Sequence, residues 1–332
     1  MKNAHTALFA NMTNKIKRII LAPMEGVLDY NVRQYLTAIN PFAYCVTEFL
    51  RVTHHKLSKK TFYRNCPELN HEGKTQSGTP VRIQLLGQSP ELVAENAVLA
   101  VELGSYGIDI NCGCPAKSVV GSQGGAYLLK SPELIYQITK AVKNSLDAKT
   151  CVSVKVRLGW DDKSHCFEIA DAVAQGGADE IVVHGRTKAD GYQADKIDWQ
   201  SIGKIRQRLT IPVIANGEIF TVEDAENCLT QSGTDSIMLA RGILNTPNLA
   251  DMIYNQNEKL AWQQTFAMLQ NYANSTSLTD LQIAKPYYHS ARIKQWLSYL
   301  KQTYPQASEL LAYIRTLKTQ SEIITAFKQF NQ

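Results

Sequence analysis

IPVIANGEI, residues 211–219, carries the pattern that decides the fold. A short apolar run rich in Val and Ile is too brief for a helix and suits a parallel strand buried on both faces. The run then breaks into small and polar residues, Asn216, Gly217 and Glu218. Seven other stretches behave alike: RIILAP (18–23), AYCVTEF (43–49), VRIQLLG (81–87), YGIDIN (106–111), VSVKVRLG (152–159), EIVVHGR (180–186) and SIMLARG (236–242). Helical patterns separate them. SPELVAENAVLAVELG (89–104) and SPELIYQITKAVKNSL (131–146) each open on Ser-Pro with a glutamate behind, an N-cap followed by proline at the first helical position.

Eight strand–helix units over about 250 residues predict a (β/α)8 TIM barrel. A doubly wound sheet competes, but no G-x-G-x-x-G follows any strand, so its dinucleotide-binding form lacks its main signature. After Pro247 strand-like runs vanish. TFAMLQNYAN, YYHSARIKQWLSYLKQTY, ELLAYIRTL and EIITAFKQF read as helices, with NSTSLTDLQIAKP as a loop among them. The expected organisation is an N-terminal tail over 1–17, a barrel over 18–256 and a helical domain over 257–332. Met12 is a second possible start, and the tail's apolar part, ALFANM, is shorter than a signal-peptide core.

The 332 residues are 44% hydrophobic and 20% charged, enough for a large core. No apolar run approaches the ~20 residues that span a bilayer. Seven scattered cysteines without a secretory signal fit a reducing, cytoplasmic setting. The formal net charge is +5, and residues 257–332 hold eight Lys/Arg against four Asp/Glu. Nearly all the excess thus lies in the helical segment, which suggests either a polyanionic partner or simply a solvated face.

Chemistry in such barrels gathers at the C-terminal strand ends. Those ends carry Pro23, Met24 and Glu25; Glu48; Gln84; Asn111 through Cys114; Lys155 and Arg157; His184 through Arg186; Asn216, Gly217 and Glu218; and Ala240, Arg241 and Gly242. Together they describe a cup of donors and acceptors. The small residues of ANGEI and ARGIL on strands seven and eight point to a phosphate. Lys155 lies within a buried strand, where an unpaired ammonium is strongly disfavoured. A negatively charged ligand such as a reduced isoalloxazine ring would resolve this; His184 by itself reads as a satisfied core histidine, and beside Lys155 as a ring contact.

The segments LAPMEGVLD, VRIQLLGQSPE, DINCGCPAK, VKVRLGW, VHGRTKADGY, IANGEI and ARG resemble the tRNA-dihydrouridine synthase family, in order and spacing from Leu21 to Gly242. HSARIKQWLSYL extends the likeness into the helical segment. APMEGVLD, TEFLRV, NCGCP and ARIKQWLSYL are most similar to the bacterial C-type subfamily, which acts on uridine 16 of the D-loop.

The resemblance implies an FMN enzyme that takes electrons from NADPH or NADH and reduces uridine in tRNA. It places Pro23, Met24, Glu25 and Gln84 on the flavin ring, and Lys155 and His184 on its polar edge. Asn216, Gly217, Glu218, Ala240 and Arg241 would hold the ribityl and phosphate end. Relatives often have glycine where Ala240 stands, which matters only if that position needs positive φ. Arg51, Tyr192, Arg292 and Lys294 would face tRNA, and Asn111 would read the flipped uracil edge. Arg292 and Lys294 lie two apart and cannot share a narrow helix face, so which of them meets RNA stays open. In this family the acid that protonates carbon 5 is the cysteine before the proline, here Cys114. A thiol with pKa near about 8.5 is protonated at neutral pH yet can donate, and Pro115 pushes Cys114 toward an extended conformation.

Zinc is disfavoured for the Cys112–Cys114 pair, which lacks two further ligands nearby, and a disulfide across one residue would be strained. Cys112 is expected to pack. The further expectations are a monomer, no metal and no membrane. Two alternatives remain: a flavin barrel acting on a free pyrimidine, and a tRNA-binding module without catalysis.

Overall fold

A computed structural model of the chain describes residues 16–275 and 287–330. Most of the 1–17 tail and nearly all of the 274–286 loop therefore lie outside the described residues. All eight expected strands form: β1 (Arg18–Leu21), β2 (Tyr44–Arg51), β3 (Val81–Leu86), β4 (Ile108–Cys112), β5 (Val152–Arg157), β6 (Glu180–His184), β7 (Val213–Asn216) and β8 (Ser236–Leu239). Each pairs in parallel with the next, and β8 returns to β1 to close the barrel.

Helices follow each strand: α1 (Tyr30–Ala38), α2 (Lys59–Asn65), α3 (Pro90–Glu102), α4 (Lys117–Val120), α5 (Pro132–Ser145), α6 (Cys166–Gln175), α7 (Trp199–Arg208), α8 (Val222–Ser232), α9 (Arg241–Asn245) and α10 (Leu249–Asn255). The two Ser-Pro starts differ. Ser89 caps α3 by accepting from Leu92 N. Ser131 makes no side-chain cap on α5, because a 3-10 segment, Gly125–Lys130, runs directly into it and places Ser131 at φ −135°, ψ 81°.

Strand parity sorts the core into two populations, since successive side chains leave opposite faces. Ile83, Leu85, Ile108, Ile110, Val152, Val154, Ile181 and Val183 pack in the main hydrophobic core with helix residues such as Ile135, Ile138 and Val173. Ile20, Tyr44, Val46, Val182, Ile214 and Met238 form a separate, smaller cluster inside the barrel. The other inward positions are polar. At the floor the Glu180 carboxylate accepts from Arg18 Nη1 (2.6 Å), Arg82 Nη1 (2.7 Å) and Tyr44 OH (2.6 Å). The Arg82 guanidinium also lies 4.0 Å over the Tyr44 ring.

The C-terminal helices are α11 (Trp262–Asn274), α12 (Tyr288–Leu300), α13 (Pro305–Tyr313) and α14 (Gln320–Phe330). They share apolar residues including Phe266, Leu269, Ile293, Leu297, Leu310 and Phe327. The bundle docks beside β1 and β8: Tyr272 OH donates to Asp29 Oδ2 (3.3 Å), and the Thr246 and Thr303 hydroxyls meet at 3.1 Å. Among the described residues, no helix is long and apolar enough to cross a membrane.

Burial alone would raise the Glu180 carboxyl, but Arg82 and Arg18 hold it below the ordinary value. Its stabilising contribution is thus present above that ordinary value and lost as pH falls through the lowered one. Replacing Glu180 with Ala leaves two cations facing each other and should lower stability by about 3–5 kcal/mol in urea unfolding. Glu180→Gln should weaken the acid dependence of stability.

Candidate functional site

The C-terminal ends of the strands open into a cavity of about 770 Å³, within the usual range for ligand sites. Its wall includes Pro23, Met24, Glu25, Gln84, Asn111, Cys114, Lys155, His184, Tyr192, Asn216, Gly217, Glu218, Ala240 and Arg241. These residues are scattered over 219 positions of sequence (23 to 241) and meet because β-strand closure brings every strand end to one rim.

A buried chain of side-chain bonds fixes the Cys114 loop. Asp109, fully buried, accepts from Gln84 Nε2 (2.6 Å) and from the Ser153 hydroxyl. Gln84 Oε1 then accepts from Asn111 Nδ2 (2.8 Å), which turns Asn111 Oδ1 toward the backbone N–H groups of Gly113 (3.1 Å) and Cys114 (3.0 Å). Arg157 Nε donates to Gly113 O (2.9 Å) from the side. Gly125, at φ +58°, closes over the loop, where a Cβ would lie 2.8 Å from Cys114 O and 3.2 Å from Cys114 Cβ. The Asn111 acceptor is therefore engaged by backbone, and only one Nδ2 hydrogen remains for a ligand.

The two thiols part company by strand parity. Cys112 is fully buried in the main hydrophobic core, and burial pushes its thiol strongly up. Cys114 reaches the cavity; burial raises its thiol, and the nearby Glu25 charge adds to this, against a backbone N–H at Ala116 and the Arg157 and Arg51 charges. It stays protonated at neutral pH.

The wall beside this loop, beginning on the neighbouring strand β5, is cationic. Lys155 Nζ donates to Asn216 Oδ1 (2.8 Å), and Asn216 Nδ2 donates to Met238 O (2.8 Å). Burial, with Arg157 adding repulsion, pushes the Lys155 ammonium down to about 8. His184 is held well below its ordinary value by burial and by Arg157, Lys155, Arg186 and Arg241, so its imidazole is neutral. Glu25 is pushed up to about 7 by burial and by Glu48, opposed by Arg292 and Arg51.

Gly217, at φ +118°, passes so close to His184 that a Cβ would lie 2.6 Å from Cδ2. Glu218 follows at φ 54°, and its carboxylate accepts from both Arg186 and Arg241. Ala240 has φ −122°, so the position does not need the positive φ that would call for glycine.

Arg51, Arg292 and Lys294 do not line the cavity. Arg292 is close to the mouth: its Nη1 lies 3.8 Å from where a Gly26 Cβ would be, and it donates to Gln295 Oε1 (2.8 Å). Lys294 instead donates to the carbonyls of Arg315 (3.0 Å) and Leu317, closing the end of α13. The wall also includes residues with no assigned role in the sequence reading, among them Phe49, Lys117, Arg157, Phe220 and Tyr299. Arg157 was visible as a strand-end residue; Tyr299 lies on the tail helix, and nothing in its local pattern placed it over the barrel.

Residues 20–331 match the family model described as dihydrouridine synthase (Dus). The chain is 55% identical over 306 residues to the tRNA-dihydrouridine(16) synthase of Haemophilus influenzae, covering 92% of this chain and 97% of that protein. Identity to the Escherichia coli K12 protein of the same name is 54% over 311 residues, covering 94% and 98%. Among solved structures, a morphinone reductase variant in complex with tetrahydroNAD has a TM-score of 0.52 at 12% identity, covering 73% of this chain and 88% of that one. A 2-naphthoyl-CoA reductase has a TM-score of 0.57 at 12% identity, covering 75% and 53%. At such identity these two share the fold only.

Of the seven cysteines, only Cys114 and Cys151 are partly exposed. Brief iodoacetamide treatment of the native protein followed by peptide mapping should therefore label these two and spare Cys112. Labelling of Cys112 at the rate of Cys114 would contradict the parity assignment.

Proposed function

The chain belongs to the dihydrouridine synthase family, and we propose that it reduces uridine 16 in the tRNA D-loop to 5,6-dihydrouridine, with FMN as cofactor and NADPH as reductant. The carrying observation is one protonated thiol, Cys114, clamped on the rim of a cavity beside the cations of the neighbouring strand. Identity of about 55% to proteins named for position 16 supports the choice of uridine.

The wall fits a flavin. Among the described residues Lys155 has no carboxylate partner, so an anionic ring edge would restore its charge, and neutral His184 sits beside it. Gln84 and Pro23 to Glu25 would hold the ring, while Asn216, Gly217, Glu218, Ala240 and Arg241 would take the ribityl and phosphate end. When bound, the flavin supplies the hydride that uracil carbon 6 receives. Cys114 gives its proton to carbon 5, the C5–C6 double bond becomes single, and the thiolate regains a proton from water. Burial keeps that proton on sulfur until it is needed. The uridine must leave the RNA stack to reach this depth. Tyr192, 57% exposed at the rim, and the free Asn111 Nδ2 hydrogen are placed to receive it. Arg51 and Arg292, near the mouth, would face the RNA, and the carbonyl-bound Lys294 would contact it only through what its ammonium leaves free.

Cys114→Ala should lower dihydrouridine formation by about 10²–10⁴-fold while flavin stays bound, and Cys112→Ala should remain near wild type; the reverse order would remove Cys114 as the acid. FMN affinity should fall as pH rises past about 8, where Lys155 loses its charge, and Lys155→Met should bind more weakly with that pH step gone. Mapping dihydrouridine in tRNA from a strain lacking this gene, with and without the protein restored, tests the reaction itself. Loss and recovery at a position other than 16 would overturn the site choice.

A further inference from the structure

On the side of the mouth away from the C-terminal helices, cations and aromatic rings alternate along the rim. Arg241 and Arg157 lie 5.1 and 5.2 Å over the Tyr192 ring. Farther out, Lys188 and Lys130 each place an ammonium 4.3 Å from the centre of the Trp160 ring. Tyr127 meets Trp160 edge-on at 5.8 Å and sits 5.2 Å from the Lys130 ammonium.

Backbone bonds make this strip a fixed part of the barrel. Lys188 N donates to Gly159 O and Ala189 N to Trp160 O, both at 2.9 Å, joining the loops after β5 and β6. Arg157 Nη1 donates to Thr187 O (3.0 Å) and Gly191 O (3.1 Å), so one guanidinium organises the loop that carries both Lys188 and Tyr192. Among the described residues neither Lys130 nor Lys188 has a carboxylate within ion-pair distance. Of the nearby acids, Asp198 pairs with Lys163, Asp190 accepts from the Thr187 N–H and Asp162 accepts from Ser164. Two ammonium groups are thus held on one indole without a counter-ion.

We propose that the Lys130–Trp160–Lys188 cluster is a second RNA-binding surface, which takes backbone phosphates of the tRNA next to the flipped uridine. This rests on the function proposed above and deepens it. The Lys130–Trp160–Lys188 cluster and Tyr192 are carried by loops after β4, β5 and β6, and in the closed strand order these lie across the mouth from β8 and β1, where the helical bundle docks. A tRNA whose uridine enters the cavity is then held from both sides. Phosphates suit the lysines, and an unstacked neighbouring base suits the exposed Tyr192 face.

The test measures tRNA binding by the flavin-loaded full chain as a function of salt, for wild type, Lys130→Gln, Lys188→Gln and the double variant. Flavin content and thermal unfolding report folding. The double variant is expected to bind at least fivefold more weakly, with the slope of log K against log[salt] reduced by about one to two. Each single variant should give part of that change, and exposed Lys130→Gln reads the same slope if the double variant does not fold. An unchanged affinity and slope overturns the surface, provided the wild type forms dihydrouridine in the same tRNA. A wild type that binds tRNA but forms none overturns the function and leaves the surface to be judged on the slopes.

Discussion

The Glu180 carboxylate at the barrel floor ties β6 to β1, β2 and β3 through Arg18, Tyr44 and Arg82. Eight parallel strands leave an interior wide enough for one side-chain face per strand, and nothing from outside can fill it. In this chain much of that face is polar, so every inward group must find its partner on another strand. Glu180 does so at the bottom, where it neutralises the buried Arg82 and the half-buried Arg18. Above it, Asp109 takes Gln84 and Ser153, Gln84 takes Asn111, and Asn111 takes the backbone of the Cys114 loop. The position of the Cys114 thiol is in this sense set by the packing of the barrel interior.

The same confinement gives the cavity its electrostatic character. Lys155, Arg157 and Arg241 converge on it, Arg186 lies just behind, and Glu218 answers Arg186 and Arg241 together. Removed from water, these cations repel one another, which is why the Lys155 ammonium and the His184 imidazolium are both disfavoured. An anionic ligand reverses that penalty. The carboxyl of Glu25, raised to about 7, and the raised thiol of Cys114 line the same cavity. The cavity thus combines cations that favour a negative ligand with a thiol beside them that retains its proton.

Much of this was legible in the sequence because its signals are local. Short Val/Ile runs ending in polar residues marked all eight strands, and the residues after them marked most of the cavity wall. Cys112 and Cys114 were separable only through a resemblance, yet the physical reason is plain: Cys112 ends β4 on its outward face, and Cys114 sits beyond the strand on a loop held by Asn111. Ser131 illustrates a local rule that failed, since the preceding 3-10 turn occupies the geometry its cap would need. Which of Arg292 and Lys294 packs was not legible locally, because the carbonyls that Lys294 meets belong to Arg315 and Leu317, far along the chain.

The sequence by itself determined the strand–helix order, the polar strand ends and the excess of positive charge in the last quarter, all of which depend on residues close along the chain. Only the tertiary structure decided that Asn111 supports the Cys114 loop, that Tyr299 reaches over the mouth, and that Trp160 holds Lys130 and Lys188 together. Those outcomes depend on which strands become neighbours when the sheet closes and on where the bundle docks. Such contacts join residues far apart in sequence, and no local pattern encodes their distance or direction.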